Sequence, residues 1–328
     1  IASATQDIAV DAFRIDQFKP SEHDKMPPAS AMAVVGWWTG YSLPGYLAFV
    51  NADSLGWAGV YGVMAVIMAL LMVFTLLVKE PEDRRSNLQH SMEDAYQKRY
   101  GLGRFASWIA VTVIEPFADF IRRNGVGIAI TLLAFIFMFK IGEAFLGRMS
   151  VVFYKEVGFT NEQIGEYTKM LGWIATVVFT LIGSAINVRF GVLRGLMVGG
   201  IAMAGSNLMF ALIAELGPLE WLFAATIIVD NFTTAFSTVA FVAFLTALTG
   251  RAFSATQYAL LASLGNLGRT TLASFSGTMV DGLGGNWTMF FIITTLMVIP
   301  SLVMLWLLRD KLEAAQERTQ AHNEANEN

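Results

Sequence analysis

Asp7 and Asp11 stand four residues apart, with Arg14 three further on, a spacing that puts all three on one helix face. Two carboxylates beside a guanidinium can take up and release a proton, so Asp7, Asp11 and Arg14 are the expected proton-coupling group. The alternative is that Arg14 simply neutralises them at a helix end. Lys140 and Glu143 form a second close pair inside an apolar run, and such a cation is what an anionic solute would need. Asp230 and Asn231 lie roughly mid-way along another apolar run. There Asn231 either meets a solute or hydrogen-bonds across helices as plain glue. Gln257, Tyr258, Asn266 and Arg269 place amide, phenol and guanidinium groups along one segment, a set suited to sugar hydroxyls and carboxylates. Gln257 has a second reading, at the start of its helix beside Arg251. With Gln6 added, the expected substrate-binding set is Gln6, Lys140, Glu143, Asp230, Asn231, Gln257, Tyr258, Asn266 and Arg269.

Enzyme chemistry finds no support. The chain has no G-x-x-x-x-G-K-[ST], G-x-S-x-G or H-E-x-x-H motif, each of which marks a specific catalytic geometry. It has no cysteine, which removes disulfides, thiol nucleophiles and thiolate metal sites together. His23, His90 and His322 are expected in loops or the tail. No catalytic residue, metal or cofactor is expected, and proton coupling is left to carboxylates.

The elements that must position these groups are membrane helices. Hydrophobic residues make up 55% of the 328 and charged ones 15%, with mean hydropathy +0.54, too apolar for an ordinary soluble surface. A net charge of -4 offers no basic field for nucleic acid. Eight apolar runs are long enough to cross about 30 Å of hydrocarbon: Ala29 to Val50, Trp57 to Val78, Val126 to Phe145, Tyr167 to Ile186, Gly195 to Ala214, Trp221 to Leu248, Tyr258 to Val280 and Trp287 to Leu308. Residues 1–18 read as the closing part of a ninth. Runs of about 20 residues without alternation must be helices, because a spanning segment has to satisfy its own backbone. Gly40, Pro44 and Gly45 are expected to interrupt the first full span. Gly199, Gly200, Ala202 and Gly205 are expected to let helices approach closely. Thr160 and Gln163 read as a capping box.

Cations set the orientation. Lys19, Lys25, Arg189, Arg194, Arg251, Arg309, Lys311 and Arg318 fall on one side with the segment from Lys79 to Asn124, which carries Arg84, Arg85, Lys98, Arg99, Arg104, Arg122 and Arg123. That side is expected to be cytoplasmic. Within the segment Phe105, Trp108, Ile109, Val113, Phe117, Phe120 and Ile121 recur at helical spacing, which predicts an interfacial helix. Two spans precede it and six follow. The chain opens on Ile1 without an initiator Met and is expected to be truncated at its N-terminus, so the whole pattern becomes six plus six, the major facilitator arrangement. The expected divisions are 1–78 as the end of the N-terminal half, 79–124 as a cytoplasmic central loop, 125–308 as the C-terminal half and 309–328 as a cytoplasmic tail. Gln6-Asp7 before Ala12-Phe13 echoes Asp230-Asn231 before Ala235-Phe236, in helices that are counterparts in the two halves.

Ser3-Ala-Thr-Gln-Asp-Ile-Ala-Val-Asp-Ala-Phe-Arg14 and Ala255-Thr-Gln-Tyr-Ala-Leu-Leu-Ala-Ser263 resemble signature segments of AmpG-type muropeptide permases' helices four and eleven, a family within the major facilitator superfamily. Pro116-Phe-Ala-Asp-Phe120, Phe153-Tyr-Lys-Glu-Val-Gly-Phe-Thr160 and Val239-Ala-Phe-Val-Ala-Phe244 are similar too, in the right order along nearly the whole chain. The segment from Arg189 to Arg194 matches the superfamily's basic loop only loosely. The resemblance implies an all-α helix bundle in a bacterial inner membrane that imports anhydro-muropeptides by proton symport. Its partners would be muropeptide, protons and lipid. Other readings are a carrier of another bulky anion, such as a coenzyme A ester or siderophore, and a non-transporting membrane sensor.

Overall fold

The computed structural model describes residues 2–18, 22, 25–78, 85–101, 103–250 and 253–325, with side chains apart from those of 2–4, 45–54, 85–89, 161, 162 and 324. Lys19, His23, Lys79, Arg84 and Arg251 lie outside the described residues, as does the side chain of Arg85. The described regular structure is helical: α1 (Ala2–Asp16), α2 (Met26–Leu77), α3 (Arg85–Tyr100), α4 (Arg104–Ile109), α5 (Glu115–Asn124), α6 (Val126–Phe139), α7 (Ile141–Val157), α8 (Asn161–Gly165), α9 (Gly172–Phe190), α10 (Val192–Leu216), α11 (Glu220–Leu248), α12 (Ser254–Ala273), α13 (Ser276–Gly282) and α14 (Trp287–Ala325). One π-helical turn joins α4 to α5 and another joins α8 to α9.

Several boundaries differ from expectation for local reasons. Helix α2 runs through Pro44 and turns at Gly56 instead, where φ 64 and ψ 161 suit a residue without Cβ. The run Val126 to Phe145 is broken at Lys140, whose φ -97 and ψ 9 end α6 and begin α7. Glu143 then falls in the first turn of α7, where a carboxylate is favoured by the helix dipole. Helix α14 does not stop near Leu308 but continues to Ala325. His90 sits on helix α3 and not in a loop, and the tail that carries His322 is helical as part of α14. The capping box forms as read: Thr160 N–H donates to Gln163 Oε1 at 3.0 Å and Gln163 N–H to Thr160 Oγ1 at 3.2 Å.

By length and composition six stretches among the described residues can cross a membrane: Leu55–Leu77, Val126–Val157, Gln163–Phe190, Val192–Leu216, Glu220–Leu248 and Trp287–Asn323. Their polarity points inward. Thr176, Ser206, Thr226, Thr233 and Ser237 are buried and hydrogen-bonded, while Ile130, Val151, Ile174, Val178, Leu181, Val198 and Ile201 face out. A bundle whose solvent is lipid buries its polar groups this way, since they need partners that lipid cannot supply.

Packing centres on α10, which lies against both α11 and α14; α11 also packs on α9, and α9 on α2. Helix α12 packs on α6, and α1 on α12. Gly199 and Gly200 serve the expected close approach: a Cβ on Gly199 would come 3.0 Å from Ser237, and one on Gly200 2.6 Å from Leu302. Gly205 does not, because nothing lies within 4 Å of its Cβ position. At one end Phe135, Phe139, Phe241 and Phe244 pack with Ile15, Phe120, Leu193, Leu248 and Leu312. At the other, Phe153, Phe210, Phe223, Phe290 and Phe291 pack with Trp287, whose Nε1 donates to Glu156 at 2.7 Å.

Candidate functional site

The expected site residues separate into two polar groups, both touching α11. The first lies where α1 meets α11 and α12. Arg14 pairs with Asp11 at 3.2 Å, donates to Thr246 Oγ1 at 3.3 Å and holds its guanidinium 5.2 Å from the centre of the Tyr258 ring. One turn further on, Ser254 Oγ donates to Asp16 at 3.2 Å. Arg14 thus joins a carboxylate of α1 to the facing helices, and Asp7 and Gln6 are exposed on the same helix.

Gln257 begins α12 and is buried. Its Nε2 donates to Pro116 O and to Asp119 Oδ2, both at 2.9 Å, while its Oε1 accepts from Gly250 N–H at 2.6 Å and from Arg123 at 3.2 Å. All of its hydrogen-bonding capacity is therefore used within the protein, which matches the reading of Gln257 as a residue of the helix start. Arg123 also donates to Leu248 O at 3.2 Å, and His322 Nε2 lies 3.3 Å from Asp119. Burial pulls the Arg123 guanidinium below its usual range, against the opposing pull of Asp119.

The second group lies about 13 Å along α11 from Thr246, counting 1.5 Å per residue back to Ser237. Lys140 is 7% exposed. Its ammonium reaches Glu143 at 2.5 Å, Ser237 at 3.1 Å and Thr238 at 2.8 Å. Asp230, two turns earlier on α11, accepts from Ser206 of α10 at 3.2 Å. Asn231 accepts from Thr176 at 2.8 Å and donates to Ile227 O at 2.7 Å, bridging α11 to α9 as the glue reading has it. On α12 Asn266 and Arg269 are exposed, and the charge of Arg269 reaches Lys140 through space.

Ser206, Ser237 and Thr238 were not singled out by spacing, nor was Asp119 with His322. A hydroxyl inside an apolar run is too common to stand out, and Asp119 meets His322 only because α5 and α14 pack together.

No family model matches the chain. The fold is that of a major facilitator transporter: the proton:xylose symporter XylE superposes with a TM-score of 0.62 over 90% of this chain and 66% of its own, at 16% identity. In sequence the chain is 33% identical to the transporter AmpG 4 of Rickettsia conorii over 94% of its length and 70% of the relative's. It is 31% identical to the Anhydromuropeptide permease of Escherichia coli K12 over 95% of its length and 58% of that protein's. The chain belongs to the AmpG family of transporters and is a multi-pass membrane protein.

Proposed function

We propose that the protein is a secondary active transporter that imports anhydro-muropeptides, the disaccharide-peptide fragments of cell-wall turnover, from periplasm to cytoplasm by proton symport. The observation that carries this reading is the 31% identity, along 95% of the chain, to a permease named for anhydromuropeptides. The chemistry agrees with it. Such a solute carries sugar hydroxyls and peptide carboxylates, which Gln6, Tyr258, Asn266 and Arg269 would meet with amide, phenol and cationic donors, the charge of Lys140 acting through space. Asp7 or Asp11, beside Arg14, carries the coupled proton, and the two halves rock about the cavity between them.

Residues 1–78 close the N-terminal half, 79–124 form a cytoplasmic loop with an interfacial helix, 125–308 form the C-terminal half, and 309–328 a cytoplasmic tail. The cationic side supports this orientation: Met26, Gly191, Thr249 and Glu313 line one cleft, which brings the neighbouring Lys25, Arg189, Arg194, Arg309 and Lys311 to one end of the bundle. The apolar faces of Phe105, Trp108, Val113 and Phe117 are exposed there, as an interfacial helix requires.

Uptake of radiolabelled anhydro-muropeptide into membrane vesicles bearing the protein tests the proposal. Accumulation driven by an imposed inward proton gradient and abolished by a protonophore is expected. Folded protein without uptake would move the assignment to another bulky anion or to a sensor role.

A further inference from the structure

We infer that Asp230 is a second proton-carrying site, in the C-terminal half, which holds a proton while the neighbouring Lys140–Glu143 ion pair is intact. The inference follows from counting donors. A lysine ammonium has three N–H groups, and those of Lys140 are taken by Glu143 at 2.5 Å, Thr238 at 2.8 Å and Ser237 at 3.1 Å. None is left for Asp230, although Lys140 is close enough to act on it through space.

Two carboxylates therefore share one buried cation, and the group carries an excess negative charge whenever both are ionised. Glu143 has the direct pair. Asp230 has a single hydroxyl, Ser206 Oγ at 3.2 Å, and no ion-pair partner among the described residues. From α7, Glu143 faces it with the same sign, and the Tyr154 phenol is near. From α10 only the Ser206 hydroxyl reaches it, and Arg269 of α12 acts on Lys140 instead. A carboxylate in a low-dielectric helix interior, repelled by one neighbour and lacking a contacting cation, resolves its charge by binding a proton. Hydronium reaching the partly exposed Asp230 gives its proton to a carboxylate oxygen and leaves as water. Release is the reverse, when movement of Lys140 offers Asp230 an N–H.

The sequence supplies an independent sign. In the echo between the halves Asp230 aligns with Asp7, five residues before Ala235-Phe236 as Asp7 stands five before Ala12-Phe13. Asp230 is then the counterpart of Asp7 in the sequence of the C-terminal half.

The inference rests on the proton-coupled reading only for its role in transport, and the site is tested without transport. Infrared difference spectra of the purified protein are recorded as pH is raised, for wild type and for Asp230→Asn. The expected result is one carboxylic acid carbonyl band that fades with pH in wild type and is missing from Asp230→Asn but present in Asp7→Asn. Identical titrating bands in wild type and Asp230→Asn overturn the site. Should Asp230→Asn not fold, Ser206→Ala serves: it removes the hydrogen bond to the charged form, so the midpoint must rise, and an unmoved midpoint overturns the site. In vesicles, gradient-driven accumulation by Asp230→Asn is expected to fall to the protonophore-treated level. If wild-type uptake ignores the gradient while the Asp230 band still titrates, the symport reading fails and the proton site stands.

Discussion

Arg14 carries much of what ties α1 to the rest of the chain. Its contacts to Asp11, Thr246 and Tyr258 put a cation where two carboxylates of one helix face the opposite half. A permanently neutral amide at either position removes the carboxylate that carries the proton or the one that tunes it. Asp7→Asn and Asp11→Asn are each expected to retain exchange of labelled for unlabelled solute and to lose accumulation in a proton gradient; variants that still accumulate would remove these residues from the coupling role. Outside the membrane spans, Tyr96 and Arg122 both donate to the buried Glu115 carboxylate. The bond to Glu115 pushes the Tyr96 phenol up to about 12. Because the folded value is raised above the usual 10, its contribution to stability is complete below about pH 10 and is lost as pH passes through about 12. Phenolate absorbance of wild type minus Tyr96→Phe should therefore show a wave near pH 12; a wave near 10 would mean that the bond is absent.

Between helices, the decisive contacts are those in which backbone replaces side chain. Gly268 of α12 lies so close to α6 that a Cβ there would sit 2.2 Å from the carbonyl oxygen of Phe137. A carbonyl cannot swing aside as a side chain can, so Gly268→Ala must push the helices apart, at about 1–3 kcal/mol for overpacking. Gly205→Ala has nothing within 4 Å of its new methyl and should be neutral or slightly stabilising, by up to about 1 kcal/mol from helix propensity. Thermal unfolding in detergent compares the two, and equal melting temperatures would contradict this account of the α6 and α12 contact. The sequence marks both glycines alike as small residues in apolar runs. Only the partner helix separates the one that permits contact from the one that faces open space.

At the scale of the molecule, Gln257 closes one end of the bundle by binding α5, the residues after α11 and, through Asp119 and His322, the long α14. Replacing it by Leu leaves Gly250 N–H and one oxygen of Asp119 without this partner, at about 1–3 kcal/mol for the desolvated groups. Amide exchange in residues 115–124 and 248–257 should accelerate in Gln257→Leu, while exchange around Phe153 and Phe291 stays unchanged; uniform loss of protection would show a global defect instead. Much of this protein was legible in one dimension. The apolar runs, the helical class and the capping box of Thr160 and Gln163 depend on neighbours three or four residues away or on the length needed to cross lipid, and both are written in the order of residues. The candidate charges were visible too, because an ionisable residue in an apolar run is conspicuous wherever it points. Their partners on other helices were not. Lys140 meets Ser237 across 97 positions and Gln257 meets Pro116 across 141, pairings that follow from how helices cross. The break at Lys140, the full engagement of Gln257 and the single hydroxyl left to Asp230 were decided only when the bundle closed, because burial and hydrogen-bond competition are properties of the assembled interior.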